Sequence, residues 1–240
     1  MKKFLLIVVA FSVSLLLHAQ DNTFADNSVE KRTVKPFRSI KVGDGIDLYL
    51  SQGAEESVAV SASKDEYMDR VKTEVEEGVL KIYYDRGSLN NWSMSNNKRL
   101  KAYVSFKTLD KLTATSGSEV IVKGIIKEDL ISLYLSSGAN FKGTVNAGKL
   151  IVEAESGAKI EIDGSAFVFS VTASSGAKIE AYMLQAGKAD VRSTSGAKIE
   201  VTAKEEMKLS SSSGGTIHYK GNAKITELNT RFGTVIHKQG

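Results

Sequence analysis

Two histidines near the end of the chain are the residues best placed to hold a metal ion. His218 and His237 each stand four residues after a glycine of a repeated sequence, Gly214 and Gly233. If the repeats stack, both imidazoles point the same way on neighbouring turns and could share a metal. Glu200 is next in that column, with no third histidine or cysteine. The pair is therefore a weak candidate, and a chance surface pair is the alternative. We expect no metal and no cofactor.

A polar segment in the first half of the chain could bind a ligand. Residues 86–99, RGSLNNWSMSNNKR, contain the only tryptophan, Trp92, beside Asn90 and Asn91. Loops on a rigid scaffold often carry binding residues, and an exposed tryptophan stacks well on sugars or aromatic side chains. These three residues are the candidate ligand-binding set. The alternative is a tryptophan folded back over the end of the fold.

Repeated lysines, glutamates and serines could also do chemistry. Lys159, Lys178 and Lys198 recur in one position, with a glutamate two residues after each. Stacked, they would form either an anion- or glycan-binding strip or a face on which lysines pair diagonally with glutamates. A column of serines has no His and Asp placed to activate it. We therefore expect hydrogen-bonded corners there and no catalytic residue.

The spacing of Ser-Gly pairs shows what must position these residues. Successive repeat glycines are 21, 19, 19, 20, 18 and 19 residues apart. The glycines are Gly117, Gly138, Gly157, Gly176, Gly196, Gly214 and a degenerate last copy at Gly233. A short fixed period of this kind is typical of a solenoid. The residue three positions after each glycine is always apolar, and its neighbours are mostly polar, as in strands with one wet face.

The fold predicted from these columns is an all-β, right-handed parallel β-solenoid with about 19–20 residues per regular turn. Each turn, or rung, should hold two or three short strands, with Ser-Gly at a corner where glycine adopts positive φ. Residues 34–240 form the single solenoid domain. Within it, residues 34–115 are irregular rungs that cap one end, and 116–240 are the Ser-Gly rungs. Residues 64–72 could make a helical turn or two.

The start of the chain predicts export. Lys2 and Lys3 precede an apolar run from Phe4 to Leu17, which is too short to span a bilayer and fits a signal peptide over residues 1–19. Residues 20–33 are polar and are predicted to be a flexible tether. The chain has no cysteine, so an exported domain must rely on its core for stability.

Charge narrows the choice of partners. The formal net charge of +4 falls to +2 without Lys2 and Lys3, which is too small an excess to favour nucleic acid. No later segment is apolar enough to cross a membrane. The mature chain is expected in the periplasm, on the outer membrane surface or outside the cell.

Three stretches taken together resemble a known family. The segments FRSIKVGDGIDLYLSQG (37–53), VEEGVLKIYY (75–84) and LDKLTATSGSEVIVKG (109–124), followed by the Ser-Gly-Ala rungs, are similar to the head GIN domain family of putative auto-transporter adhesins. The resemblance covers about residues 33–240. It implies a β-helical secreted or envelope protein of a Gram-negative bacterium, and it supplies no catalytic motif.

Three functions remain open from the sequence. The first is a non-enzymatic, adhesin-like binding module whose partner is a glycan, extracellular matrix or an envelope protein. The second is a structural protein of the cell envelope that forms oligomers through its solenoid ends. The third is a polysaccharide-active β-helix enzyme, which would need clustered carboxylates in a groove.

Overall fold

The chain forms a β-solenoid of about seven turns. A computed structural model describes residues 29–87 and 98–239. The predicted signal peptide and the first part of the predicted tether lie outside these residues. The last part of the tether belongs to the sheet, because strand β1 (Glu30–Arg32) pairs with β4 (Ser57–Ser61).

The first half of the fold consists of short strands. They are β2 (Ser39–Val42), β3 (Asp47–Gln52), β5 (Val71–Glu76), β6 (Val79–Tyr84), β7 (Lys101–Phe106) and β8 (Lys111–Ala114), with one helical turn, α1 (Asp65–Met68). Strands β1, β4 and β7 pair antiparallel, and so do β5 and β6. The predicted irregular rungs therefore contain antiparallel pairs that close the N-terminal end of the solenoid. This end presents β1 and β5 as its outermost strands.

The second half of the fold is a regular parallel stack. Its strands are β9 (Glu119–Leu135), β10 (Asn140–Ala154), β11 (Lys159–Ala173), β12 (Lys178–Ser193), β13 (Lys198–Ser211), β14 (Thr216–Lys220), β15 (Lys224–Thr230) and β16 (Val235–Lys238). Strands β9 to β13 are 14 to 17 residues long, which differs from the two or three short strands expected per rung. The hydrogen-bonded pairing between neighbouring rungs continues past each corner, so a single long strand passes around the corners of its rung.

The predicted core column is confirmed. Ile160, Ile179, Ile199 and Ile217 are register partners in successive rungs, and all four are fully buried. Alternation places every second side chain of a strand inside. Each apolar residue of the column is then covered by the rung above and by the rung below. The handedness of the winding stays a prediction.

The Ser-Gly corners are turns with two left-handed residues. Ser175 has φ +52° and Gly176 φ +73°, and the N–H of Ala177 donates to the carbonyl of Ser174 at 3.1 Å. Positive φ at both central residues defines a type I′ turn. The positive φ of the glycines was expected, whereas that of the serines was not. Stacked turns are joined by the backbone, since the Gly176 N–H donates to the Ser195 carbonyl at 3.1 Å.

The differences in repeat length are taken up mainly at one corner, which we call the variable corner (residues 122–124, 143, 162–163 and 181–184). Strand β9 has two more residues there than β10, and β12 has one more than β11. Strand β12 also has three more residues than β13 there, and β13 regains one at the following corner. The Ser-Gly turns and the core column therefore remain in register while the repeat length varies from 18 to 21 residues.

Within residues 29–87 and 98–239, nothing covers the C-terminal end of the solenoid. We call β15, the turn at 231–234 and β16 the open end. Every residue of β15 is exposed. The apolar side chains Ile225, Leu228, Phe232 and Val235 are 37%, 56%, 94% and 50% exposed. Ile225 and Leu228 continue columns that are buried in the preceding rung, whereas Val235 continues the solvent-facing lysine column and Phe232 lies in the turn.

Candidate functional site

The candidate binding residues Asn90, Asn91 and Trp92 lie outside the described residues, so their role stays a prediction. The two ends of their segment are described, at Gly87 and Lys98. They follow β6 and precede β7, within the irregular rungs near the N-terminal end.

Both ends of that segment are fixed to the solenoid. On the first side, the Asp85 N–H donates to the Arg70 carbonyl at 2.8 Å, the Gly87 N–H donates to Asp85 Oδ1 at 2.8 Å, and Arg86 Nη2 lies 2.9 Å from Asp44 Oδ1. On the second side, the Ser63 N–H donates to the Lys98 carbonyl at 2.8 Å. The ten residues between Gly87 and Lys98 therefore start and finish at defined points on a rigid scaffold.

Tyr84 forms the base beneath these ends. Its ring is 6% exposed, with Lys98 Nζ 4.3 Å and the Arg70 guanidinium carbon 5.4 Å from the ring centroid. Cations at these distances are attracted by the ring quadrupole. Arg70 is also held by its Nε, which donates to the Asp85 carbonyl at 2.8 Å. The base is thus well packed and lined with cationic side chains.

The two histidines meet as predicted. His218 and His237 are register partners on β14 and β16, with ring centroids 6.1 Å apart. The Nε2 of Gln239 lies 3.2 Å from His218 Nδ1. Glu200 is the register neighbour of His218 on the other side. Among residues 29–87 and 98–239, no group of three or more His, Cys, Asp or Glu side chains is arranged to hold a metal. Metal binding by the pair stays a prediction.

The lysine and glutamate columns neutralise one another. Three pairs form between residues two apart on one strand: Lys159–Glu161, Lys178–Glu180 and Lys198–Glu200. The diagonal pairing that the sequence predicted also occurs, with Lys159 Nζ 3.6 Å from Glu180 Oε2, but the closer partner is on the same strand. This pattern favours the neutralised face over an anion-binding strip.

The pKa values of this face are those of a charged, paired surface. Hydrogen bonds from Lys159 and Lys142 lower the pKa of Glu161, and a hydrogen bond from Lys178 lowers that of Glu180. The hydrogen bond to Glu161 raises the pKa of Lys159. A general acid in glycoside hydrolysis needs a raised carboxyl pKa. These glutamates are shifted in the opposite direction.

A pair of carboxylates outside this face includes one group with a raised pKa, and burial likewise raises the pKa of Glu128. Asp47 on β3 and Glu119 on β9 are register partners, and Lys101 on β7 flanks Asp47. Burial first, and then the nearby Glu119, raise the pKa of Asp47, while Lys101 opposes the shift. Sequence reasoning missed this pair because β3 and β9 are far apart in the chain. It is where an acid–base role is best tested.

An aromatic stack on the same face was also missed. The Tyr49 and Tyr103 rings are 5.2 Å apart and nearly parallel, and Lys123 Nζ lies 5.5 Å from the Tyr49 centroid. Tyr103 is 7% exposed, so the stack is packed surface rather than an open aromatic platform. The alternation around each tyrosine was visible in the sequence, but the pairing of β3 with β7 was not.

These features define a stacked parallel β-solenoid whose lysine and glutamate columns pair with one another. Among the described residues, no helix has the length and apolarity to cross a bilayer. The sequence pattern of the family described as "putative auto-transporter adhesin, head GIN domain" matches residues 36–223. The chain belongs to that family.

Solved structures share the fold. A putative adhesin from Bacteroides fragilis superposes with a TM-score of 0.79 at 19% identity, covering 88% of this chain and 96% of the other. A putative lipid binding protein from Parabacteroides distasonis gives a TM-score of 0.70 at 20% identity, covering 90% and 98%. A putative adhesin from Parabacteroides merdae gives 0.71 at 15% identity, covering 89% and 96%. No protein with a curated description matches the chain.

Proposed function

We propose that this protein is an exported, non-catalytic binding module with an adhesin-like role, and that residues 88–97, with Asn90, Asn91 and Trp92, make the contact. Its partner is a glycan, extracellular matrix or an envelope protein. The observation that carries the proposal is the anchoring of Gly87 and Lys98 to the solenoid. A ten-residue segment fixed at both ends loses less freedom on binding than a free tail.

The chemistry of the segment supports the same proposal. Its sequence, SLNNWSMSNN, has no charged residue and combines amide groups with one indole. Amides donate to and accept from hydroxyl groups, and an indole face stacks on the apolar face of a sugar ring. Arg70 and Lys98, whose cationic groups lie over Tyr84, add attraction for acidic sugars or an acidic protein surface, whereas Arg86 is paired with Asp44.

The enzyme alternative has less support. The glutamates of the ladder are held ionised by lysines, which is the wrong state for a general acid. If the protein does cleave polysaccharide, the Asp47–Glu119 pair is the place to look. Asp47→Asn should then abolish the cleavage while Trp92→Ala only weakens substrate binding.

The first experiment is a binding screen of the purified protein against glycan arrays and matrix proteins. Trp92→Ala should reduce specific binding at least tenfold, and Trp92→Phe should retain part of it because the aromatic face remains. Phe167→Ala is the matched control, since Phe167 is 61% exposed on the flank of the solenoid. That variant should bind like the unaltered protein.

Two results would count against the proposal. One is specific binding that Trp92→Ala leaves unchanged, which would move the contact elsewhere on the solenoid. The other is no binding to any glycan, matrix protein or lipid vesicle, which would favour the structural role in the envelope. Binding to lipid vesicles alone would instead align the chain with the Parabacteroides distasonis relative.

A further inference from the structure

The open end exposes side chains that continue the hydrophobic core. Ile225 is the register partner of Met207 in the preceding rung, and Leu228 is the register partner of Leu209. Met207 and Leu209 are each 1% exposed because another rung covers them. Nothing among the described residues covers Ile225 and Leu228 in the same way. This surface is therefore suited to contact another rung of the same kind.

The backbone of the open end is also suited to contact another strand. Within the described residues, β15 is paired with β13 and β16 with β14, so each presents its other edge to solvent. Such an edge carries a row of N–H and C=O groups ready to pair with another strand. A partner that supplies a strand and an apolar face would satisfy the backbone and the side chains together.

The N-terminal end of another copy does not supply that face. Its outer strands are charged: β1 reads Glu-Lys-Arg, and β5 carries Lys72, Glu74 and Glu76. Arg32 Nη1 lies 3.0 Å from Glu30 Oε1, and Lys81 contacts Glu76. Covering these charges with Leu228 and Phe232 would remove them from water without new partners, which is unfavourable. Head-to-tail stacking is therefore disfavoured.

Neither residues 88–97 nor residues 20–28 are long enough to reach the open end. Residues 88–97 lead into β7, which is eight strand spacings, about 38 Å, from β16. A ten-residue loop fixed at both ends extends only about 18 Å. Residues 20–28, which remain after removal of the predicted signal peptide, span about 32 Å at most. They leave from β1, ten spacings or about 48 Å from β16.

We propose that two copies of this protein associate through their open ends, tail to tail, about a two-fold axis. The open end is the surface whose chemistry matches itself. Its central strand β15 carries one lysine and one glutamate and so has no net charge, while Arg231 and Lys238 in the rest of the open end add two positive charges per copy. A two-fold axis makes the facing strands antiparallel and buries Ile225 and Leu228 of both copies, with Phe232 and Val235 at the rim.

This association closes at two copies and lengthens the particle. An isologous contact uses the same patch on both subunits, so no free patch remains for a third. The β7 strands of the two copies, which residues 88–97 precede in the sequence, then lie at opposite ends, about 80 Å apart by strand spacing. The proposal does not depend on what those segments bind.

Analytical ultracentrifugation of the purified protein tests the association. The unaltered protein should be a concentration-dependent dimer with no larger species. Leu228→Glu should weaken the dimer about a hundredfold, as expected for a central apolar contact. Phe232→Glu should also weaken it, and because Phe232 is 94% exposed in a turn, this variant should leave folding unchanged. Met183→Glu is the control, since Met183 is 71% exposed on the flank and should leave the dimer intact.

Cysteine cross-linking tests the geometry independently. The chain has no cysteine, so a single one can be introduced at each position of β15 in turn. Under mild oxidation, one or more positions nearest the two-fold axis should give a covalent dimer, whereas Lys72→Cys on β5 should not. A protein that is monomeric at all concentrations would overturn the proposal, even if it bound lipid vesicles through Leu228. A ladder of higher oligomers, or cross-linking through β5, would overturn it as well.

Discussion

Replacing Ile179 by aspartate tests the stacked core at its centre. Ile179 is fully buried between its register partners Ile160 and Ile199. Losing the burial of the isoleucine costs about 2–3 kcal/mol. Keeping the new carboxyl protonated at pH 7 costs about 4 kcal/mol, and burying it without a partner about 1–3 kcal/mol more. The sum, about 7–10 kcal/mol, is comparable to the whole stability of a typical domain, about 5–15 kcal/mol.

Lys178→Ser is the matched control one residue away. Lys178 points to solvent and pairs with Glu180, and its side chain is 43% exposed. Losing an exposed pair of this kind costs at most about 1 kcal/mol. Urea denaturation followed by far-UV circular dichroism should show Ile179→Asp unfolded in buffer and Lys178→Ser close to the unaltered protein. Similar midpoints for both variants would mean that the core column is assigned to the wrong face.

Three further changes probe the corners, the charged face and one buried hydroxyl. Gly176→Ala should cost about 1–2 kcal/mol for its positive φ alone, because an added Cβ there meets nothing within 4 Å. Gly164→Ala should cost more, since its Cβ would lie 2.2 Å from a backbone oxygen; equal thermal midpoints would contradict this. The lowered pKa values of Glu161 and Glu180 contribute stability that is present above the usual glutamate pKa and lost as the pH falls through the folded values. The Glu161→Gln/Glu180→Gln variant should therefore show a flatter stability profile in acid, and an unchanged acid limb would refute it. Burial raises the pKa of Tyr182 to about 12, and its hydroxyl has no hydrogen-bond partner among the described residues. Tyr182→Phe should therefore leave stability unchanged or raise it. The same variant should lose the highest step of the ultraviolet phenol titration.

The repeated half of the fold could be predicted because the same position carries the same kind of residue in every rung. Ile160, Ile179 and Ile199 lie three residues after their glycines, so one alignment fixed the core, the wet face and the corners together. The left-handed serines could not be predicted in this way. Positive φ is rare outside glycine, asparagine and aspartate, and the serines adopt it because the paired backbone of the turn above and below holds them there.

The irregular half was less predictable because its partners are distant in sequence. The register of β3 with β7 and β9, which brings Asp47 beside Glu119, depends on a strand order that no local pattern encodes. The antiparallel pairing of β1, β4 and β7 has the same origin. The histidine pair was found because it obeys the repeat. The candidate segment around Trp92 was found because it interrupts the alternation.

The variable corner has a consequence for how such a chain can change over time. Residues gained or lost at 181–184 alter one rung and leave the isoleucine column and the type I′ turns in register. A duplicated or deleted rung can therefore rejoin its neighbours at this corner without a shift of register elsewhere. Lineages could lengthen or shorten the solenoid one rung at a time while keeping both of its ends. An epitope tag inserted beside the exposed Met183 of this corner should be tolerated for the same reason.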